Sequence, residues 1–290
     1  MKPFCISLYY DDTMWHKAIC KGIKPFIDNT IDIETYIIRL SHQGGCNIRM
    51  IITPCKDSDA FVLANHIDSW FKNFLLKAPS ISTKNRLEEN RLFLNFQNNT
   101  IHYGTFEYIP FSISDDYHNS VFLKYDNNVS KVIFELFVCF KEETLENIIE
   151  ISIQLLFIFV SALKITIIDS LTLFETLLSN EYIKYETEAA ESLKMENSSM
   201  FNDNKDFIIQ SFIENRNNNL KDYEEEWQIL WYLTVTDCQK SLTEFENKNI
   251  SLQELTIMIN MLFNSLNLQC RSTVCHFAYN TLKDIYTSAK

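Results

Sequence analysis

The fold depends on residues 34–53, ETYIIRLSHQGGCNIRMIIT, in which two strand-like runs flank a turn that contains Gly44 and Gly45. Side chains alternate between the two faces of a strand, so every second residue belongs to the same face. One face of the predicted hairpin is wholly apolar and carries Tyr36, Ile38, Leu40, Ile48, Met50 and Ile52. The other face is mixed and carries Thr35, Ile37, Arg39, Asn47, Arg49 and Thr53. The pattern predicts a β-hairpin that packs its apolar face on a core.

Arg39 and Arg49 fall on the same face of this hairpin, on adjacent strands. Two like charges on neighbouring strands repel, by up to about 1 kcal/mol when they are directly opposite. An anion bound between the two guanidinium groups would relieve that repulsion. The alternative is a solvated face, on which both groups pair with some of the 38 Asp and Glu residues of the chain.

The remaining patterns before residue 125 predict both strands and helices. The predicted elements are a strand at 3–10, a helix from Asp11 or Asp12 to Phe26, a helix at 58–76, and strands at 91–97 and 100–110. The helix at 58–76 has an apolar face that carries Phe61, Ala64, Ile67, Phe71 and Leu75.

All four Gly and all five Pro residues precede residue 111. Their absence from the rest of the chain favours long helices joined by polar turns. We therefore expect helices from Val129 onward, with loops in the Asn-rich stretches 196–204 and 215–219. The longest apolar run, residues 151–163, is shorter than the roughly 18 residues that a membrane span needs, and it predicts a buried core helix.

Together these patterns predict an α+β fold, with an N-terminal mixed β-sheet and packed helices followed by a mainly helical C-terminal half. We expect a single domain over 1–290, strand-rich over 1–125 and helix-rich over 126–290. No linker rich in Pro or Gly marks a domain boundary.

Composition disfavours several classes of function. A net charge of -12 with only six Arg residues disfavours nucleic-acid binding, because polyanions are bound by many basic side chains. No Gly-rich phosphate-binding motif is present. The eight Cys residues form no C-x-x-C pair, so we expect free thiols in a reducing compartment and neither a metal nor a cofactor. The apolar stretch that follows Met1 is too short for a signal peptide, which predicts a cytoplasmic protein.

Four motifs resemble one known family. YIIRL, the Gly-containing turn and NIRMII resemble the aromatic-x-Ile-Arg-Tyr and His-Ile-Arg-Leu-Arg-Phe motifs of the elimination domain of lantibiotic dehydratases and of their stand-alone relatives in thiopeptide biosynthesis. ISLYYDD, followed by PFI, is similar to the start of that domain. FQNNTIHYG is similar to Tyr-x-Pro-Glu-x-x-Arg-Tyr-Gly, with Phe96 for Tyr, and VCHFAYNT is similar to His-Met-x-x-Asn-Arg. The matches follow the family's order along nearly the whole chain.

In that family the domain removes glutamate from a glutamylated Ser or Thr of a precursor peptide and leaves a dehydroamino acid. The resemblance implies that Arg39 and Arg49 are cationic donors to the enolate-like oxygen and the glutamyl carboxylate, and that His276 is the acid/base group. It also implies substrate-binding roles for Asn47, His102, Tyr103 and Asn280. A helix predicted over 268–286 places His276 and Asn280 one turn apart on its polar face.

The chain departs from the family at several positions. Ile51, His102 and Thr281 stand where the family has Arg, and Asn47 stands where it has His. Neither Ile nor Thr can bind a carboxylate in the bidentate way of a guanidinium. The resemblance therefore implies the fold more firmly than the activity.

Three functions fit these residues. The main hypothesis is a lyase that eliminates glutamate, which requires Arg39, Arg49 and His276 to converge on one cavity. The second is a pyridine synthase of the thiopeptide type, which joins two dehydroalanines in a [4+2] cyclisation and is favoured by the missing Arg residues. The third is a non-catalytic protein that binds a precursor peptide or a partner enzyme by strand addition. Expected partners are a modified precursor peptide, a separate glutamylating dehydratase subunit and a second copy in a homodimer, with no nucleic acid.

Overall fold

The structure, a computed structural model, describes residues 3–56, 59–81, 96–104, 116–246 and 249–288. Residues 91–95 of one predicted strand and 105–110 of another lie outside the described ranges. Within them the chain has the predicted α+β composition, with strands near the N-terminus followed by helices.

In the part of the chain that the structure describes, the sheet has four strands in the order β2–β3–β1–β4. They are β1 (Phe4–Tyr9), β2 (Ile33–Ser41), β3 (Asn47–Pro54) and β4 (Thr100–Tyr103). We expected a mixed sheet, but every pairing among the described strands is antiparallel. The reason is that strands running in the same direction are not neighbours: β3 separates β1 from β2, and β1 separates β3 from β4.

The apolar face of the sheet packs on helices, as the hairpin pattern predicts. Five of its predicted residues are at most 2% exposed, namely Ile38, Leu40, Ile48, Met50 and Ile52. The helices before β4 are α1 (Trp15–Ala18), α2 (Lys24–Asn29) and α3 (Ala60–Lys77). The Asp11 side chain accepts a hydrogen bond from the Thr13 N–H, which begins the first helical turn where the sequence predicts it.

Helix α3 begins at an Asp59 cap whose carboxylate accepts the N–H groups of Phe61 and Val62. Its buried face differs from the predicted one, because Phe61 is 75% exposed. The face that meets the core carries Leu63, Ile67, Phe71, Phe74 and Leu75. The error was one of helical phase. Phe61 lies six residues before Ile67, about 120° away around the helix, whereas Leu63 lies four residues before it and about 40° away.

Helix α4 (Asp116–Phe140) covers the edge strand β2. The side chains of Asn127 and Ser130 accept the backbone N–H groups of Tyr36 at 2.8 Å and of Ile38 at 2.9 Å. These two donors would otherwise be available to another strand. The same helix therefore closes the sheet edge and, as described below, supplies a carboxylate beside β2.

The chain divides into two compact units. The first comprises Met1–Leu145 and Asn264–Asn267, and the second comprises Glu146–Phe263 and Leu268–Lys290. The remaining helices are α5 (Ile148–Leu163), α6 (Ile167–Tyr182), α7 (Thr187–Arg216), α8 (Glu226–Glu246), α9 (Leu252–Ser265) and α10 (Arg271–Ser288). The single domain predicted over 1–290 stays a prediction.

Helix α5 is the core of the second unit, as its apolar run predicts. Residues 155–159 are completely buried, and the indole N–H of Trp231 donates to the Leu155 carbonyl at 2.7 Å. Among the described residues, no helix is both long and apolar enough to cross a membrane.

Helix α7 passes through the Asn-rich stretch 196–204, where we expected a loop. Asn and Ser are tolerated there because their side chains bond back to the helix, from Ser198 to the Lys194 carbonyl and from Asn204 to the Met200 carbonyl. Buried Asn197 and Phe201 hold this part of the helix against its neighbours. The second predicted break is confirmed, since α7 ends at Arg216.

Candidate functional site

One face of the sheet, called the arginine face here, gathers polar side chains from all four strands. In the strand register, Arg39 lies opposite Arg49, Arg49 opposite Ser7, and Ser7 opposite His102, so these residues form one row across the sheet. The next row consists of Ser41, Asn47, Tyr9 and Thr100. The predicted placement of Arg39 and Arg49 on one face is confirmed, and the observed register puts them directly opposite each other.

Arg39 forms an ion pair with a buried carboxylate of α4. Its Nη2 donates to Oδ2 of Asp126 at 2.8 Å, and Asp126 is 0% exposed. The other oxygen, Oδ1, accepts the Ser265 hydroxyl at 3.3 Å. The pKa of Asp126 is raised, because burial outweighs the opposing effects of the Arg39 guanidinium and the Ser265 hydroxyl. One of the two predicted cationic donors is therefore bound to a carboxylate of the protein itself.

Arg49 has a neutral hydrogen-bond partner in the β2–β3 turn. Its Nη2 donates to Oε1 of Gln43 at 2.8 Å. Burial lowers the pKa of Arg49, and the facing Arg39 lowers it further, but a guanidinium stays protonated at the pH at which proteins work. Arg49 thus places a positive charge in the middle of the arginine face.

Three rings lie beside Arg49. The ring centroid of Phe96 lies 4.8 Å from that of Tyr9 and 4.0 Å from that of His102, and the Tyr9 and His102 centroids are 5.3 Å apart. Burial raises the pKa of the Tyr9 phenol, while the positive charge of Arg49 opposes the shift. We call Tyr9, Arg49, Phe96 and His102 the Tyr9 cluster.

Gly44 lets Phe96 approach the turn. Its φ is +72°, and an added Cβ would lie 3.3 Å from both the Phe96 ring and the Tyr9 hydroxyl. Replacing Gly44 with Ala is therefore expected to lower the free energy of unfolding by about 1–2 kcal/mol, measured by urea denaturation. Gly104→Ala is the matched control, because its Cβ would meet nothing within 4 Å. Equal losses in the two variants would contradict this account of Gly44.

Asn47 braces the turn. It is 0% exposed, and its Nδ2 donates to the carbonyls of Gln43 at 3.0 Å and Gly45 at 2.7 Å. Its Oδ1 is buried without a hydrogen-bond partner among the described residues. The substrate-binding role implied for Asn47 stays a prediction.

His102 and Tyr103 point to opposite faces of β4, because neighbouring side chains of a strand alternate. His102 belongs to the arginine face, whereas Tyr103 pairs with Ile6 on the apolar face. The Tyr103 hydroxyl lies 3.0 Å from the Asp68 carboxylate of α3, and its pKa is raised by burial and by that hydrogen bond. The structure therefore places His102 on the arginine face, with Ser7 between it and Arg49, and Tyr103 on the opposite face.

His276 lies in a buried polar network of the second unit. It is 8% exposed, although the sequence places it on the polar face of its helix. Its Nδ1 is 3.1 Å from the Tyr182 hydroxyl and its Nε2 is 3.3 Å from the Ser198 hydroxyl. Asn197 joins the network by donating to Tyr182 at 3.3 Å. This polar face is buried because helices α6 and α7 pack on α10.

The burial of His276 predicts a pH dependence of stability. Burial lowers its pKa below the ordinary 6.5, so the unfolded chain takes up a proton at a pH where the folded chain does not. The stability that the protein gains from burying neutral His276 is complete above pH 6.5, and it is lost as the pH falls below that value. We expect wild type to lose more stability than His276→Gln between about pH 7 and about pH 5, measured by urea denaturation. Parallel curves for the two proteins would contradict this.

Asn280 donates from Nδ2 to the His276 carbonyl at 2.9 Å, one turn along α10 as predicted. His276 belongs to the second unit, whereas Arg39 and Arg49 belong to the first. The expected convergence of His276 and the two Arg residues on one cavity stays a prediction.

No protein-family profile matches the chain, and no curated protein sequence matches it. Among solved structures, the pyridine synthase TbtD from thiomuracin biosynthesis is similar over 99% of this chain and 100% of its own, with a TM-score of 0.72 and 14% sequence identity. The chain therefore shares the fold of TbtD.

A second solved structure, that of TsrL, is also similar to this chain. It covers 99% of this chain and 95% of its own, with a TM-score of 0.64 and 8% identity. These identities are low enough that the comparisons show the fold alone.

Several residues of the candidate site were not predicted from the sequence. Ser7 and Tyr9 alternate in the strand ISLYY, and period-two alternation could have placed both on the arginine face. Asp126 gave no such signal, because it lies among other polar residues in DNNVS within a helix. Tyr182 and Ser198 reach His276 only through the packing of separate helices.

Proposed function

We propose that this chain matures a ribosomally made peptide by a [4+2] cyclisation of two dehydroalanines, the reaction of a pyridine synthase. The observation that carries the proposal is the similarity of fold to TbtD over 99% of this chain and the whole of that one. The thiopeptide-type motifs around the two Arg residues support the same class of substrate, a modified precursor peptide.

The partner of Arg39 favours cyclisation over glutamate elimination. Elimination needs cationic groups that bind the glutamyl carboxylate, and three guanidinium groups of the elimination family are replaced here by Ile51, His102 and Thr281. Of the two that are retained, Arg39 already binds the Asp126 carboxylate at 2.8 Å. In the [4+2] cyclisation one dehydroalanine supplies the two-atom component, and the other, together with its neighbouring amide, supplies the four-atom component. Neither component carries a carboxylate that an Arg would have to recognise.

The arginine face offers what a cyclisation needs. The two reacting dehydroalanines must be held together in a folded peptide, which is a matter of positioning. The guanidinium of Arg49 can donate to a peptide carbonyl, and the partly exposed His102 imidazole can hydrogen-bond the reacting amide. The ring of Phe96, which is 48% exposed, can pack against the peptide, and buried Tyr9 supports Phe96 from behind.

Glutamate elimination remains the second candidate because Arg39 and Arg49 lie opposite each other on β2 and β3. It requires His276 as the acid/base group. The third hypothesis, strand addition, is disfavoured at the β2 edge, since Asn127 and Ser130 already bind its N–H groups. We also propose that the chain has two protein partners, a separate glutamylating subunit and a second copy of itself in a homodimer.

The two reactions are distinguished by incubating the purified chain with two peptides. One carries two dehydroalanines downstream of a leader sequence, and the other carries a glutamylated Ser. Mass spectrometry should show ring formation with release of the leader from the first peptide and no change in the second. Loss of glutamate from the second peptide would favour the lyase. If both peptides bind without reacting, the chain is a binding protein and the proposal is wrong.

A further inference from the structure

Three side chains with metal-binding chemistry meet at the β2–β3 turn, within the first unit. Ser41 pairs with Asn47 at the end of the hairpin, so His42 and Cys46 flank the turn as the next residues along each strand. Asp12 reaches the same place from the turn that follows β1. One donor atom from each of Asp12, His42 and Cys46 lies within 4.8 Å of the others.

The donor atoms suit a cation of intermediate softness. Imidazole nitrogen, thiolate sulfur and carboxylate oxygen are the ligands that Zn²⁺ uses, with bonds of about 2.0–2.3 Å. Tetrahedral geometry at those lengths places ligand atoms about 3.3–3.8 Å apart. The His42 Nε2 and Asp12 Oδ2 atoms are 3.0 Å apart, so small side-chain movements would open the cluster around an ion.

The second ring nitrogen of His42 is also held. Its Nδ1 lies 2.6 Å from the side-chain amide of Asn267, and its ring packs on Trp15 with centroids 5.2 Å apart. A metal-binding His usually has its other nitrogen bonded to a carbonyl or carboxylate, which fixes the ring and its tautomer. Asn267 occupies that position, since an amide can turn its oxygen toward an N–H.

We infer that Asp12, His42 and Cys46 bind one divalent cation that prefers nitrogen and sulfur ligands, with Zn²⁺ as the fitting ion. The site stands independently of the proposed function. A cation at this site would also affect the arginine face, because Gln43 and Gly44 lie in the turn between His42 and Cys46. Gln43 binds Arg49, and the Gly44 carbonyl binds the Phe96 N–H at 2.8 Å. A bound cation would therefore brace the turn that orders the Tyr9 cluster.

The competing explanation is a hydrogen-bonded cluster without a metal. Hydrogen bonds to Asp12 and then to Cys46 raise the pKa of His42 to about 9, so the imidazole can pair with the carboxylate as a cation. Both explanations use the same contacts, but only the metal-free cluster would leave Co²⁺ and Zn²⁺ without a binding site.

The test is a Co²⁺ titration of the untagged full-length chain under reducing conditions without thiol ligands. A thiolate bound to Co²⁺ gives a charge-transfer band in the near ultraviolet, which should saturate at one equivalent. Cys46→Ser should abolish the band, and His42→Gln should weaken Co²⁺ binding by about 100-fold. Cys139→Ser is the matched control, because Cys139 is exposed and far from this cluster in sequence.

Zn²⁺ provides a second measurement that does not depend on the variants. It should raise the thermal midpoint of wild type, because a ligand that binds the folded state stabilises it. Circular dichroism would confirm that each variant is folded. No charge-transfer band in wild type, or a band that persists in Cys46→Ser and disappears in Cys139→Ser, would overturn the inference.

Discussion

Replacing Asp126 with Asn is expected to lower the free energy of unfolding by about 3 kcal/mol. Asp126 is 0% exposed, and its carboxylate accepts bonds from Arg39 and Ser265. Asn keeps the size of the side chain but removes the charge that compensates Arg39, which also faces Arg49 across the sheet. Breaking a buried pair in this way leaves one charge poorly solvated. Urea denaturation at neutral pH measures the loss.

Asp28→Asn is the control for this prediction. Asp28 forms a partly exposed pair with Lys24 at 2.8 Å on one helix, and such pairs contribute less than about 1 kcal/mol. If both variants lose the same amount, burial of Asp126 does not set the strength of the Arg39 ion pair, and the argument against a carboxylate-binding role for Arg39 weakens.

Replacing Arg49 with Gln is expected to lower the rate of cyclisation by about 100- to 1,000-fold, because preorganised donors to the reacting group commonly contribute that much. Gln can still hydrogen-bond but carries no charge. Arg49→Lys keeps the charge and loses the planar fork that binds Gln43, so we expect an intermediate rate. The measurement is the initial rate of ring formation, followed by mass spectrometry over a range of peptide concentrations.

Arg216→Gln serves as the control, since Arg216 is exposed at the end of α7 and belongs to the second unit. A fall in kcat and kcat/KM together would place Arg49 at the reacting group, whereas a rise in KM alone would make it a peptide-binding residue. Wild-type rates in Arg49→Gln would remove the arginine face from the proposed active site.

The hairpin was predictable because alternation leaves little freedom. Once Ile38 and Ile48 must face the core, Arg39 and Arg49 must share the other face, and the observed register agrees. Helix α5 was predictable for a similar reason, since a long apolar run can only be buried. Both predictions depend on neighbours along the chain.

The contacts that the sequence did not identify join residues far apart in the sequence. The ion pair of Arg39 joins residues 87 positions apart, and the bond between Tyr182 and His276 joins residues 94 positions apart. No local pattern identifies such partners. For the same reason His276 was placed on a solvated helix face, although packing of α6 and α7 buries it. The Asn-rich part of α7 shows that weak helix propensity yields to packing at Asn197 and Phe201.

The closed edge of β2 also bears on solubility. An open strand edge can pair with the same edge of another molecule and start aggregates, especially when the strand is long and apolar. Strand β2 has nine residues, and two of its outward N–H groups are occupied by Asn127 and Ser130. Helix α4 therefore protects concentrated protein from association through this edge, and polar residues that look ordinary in the sequence help to keep the chain in solution.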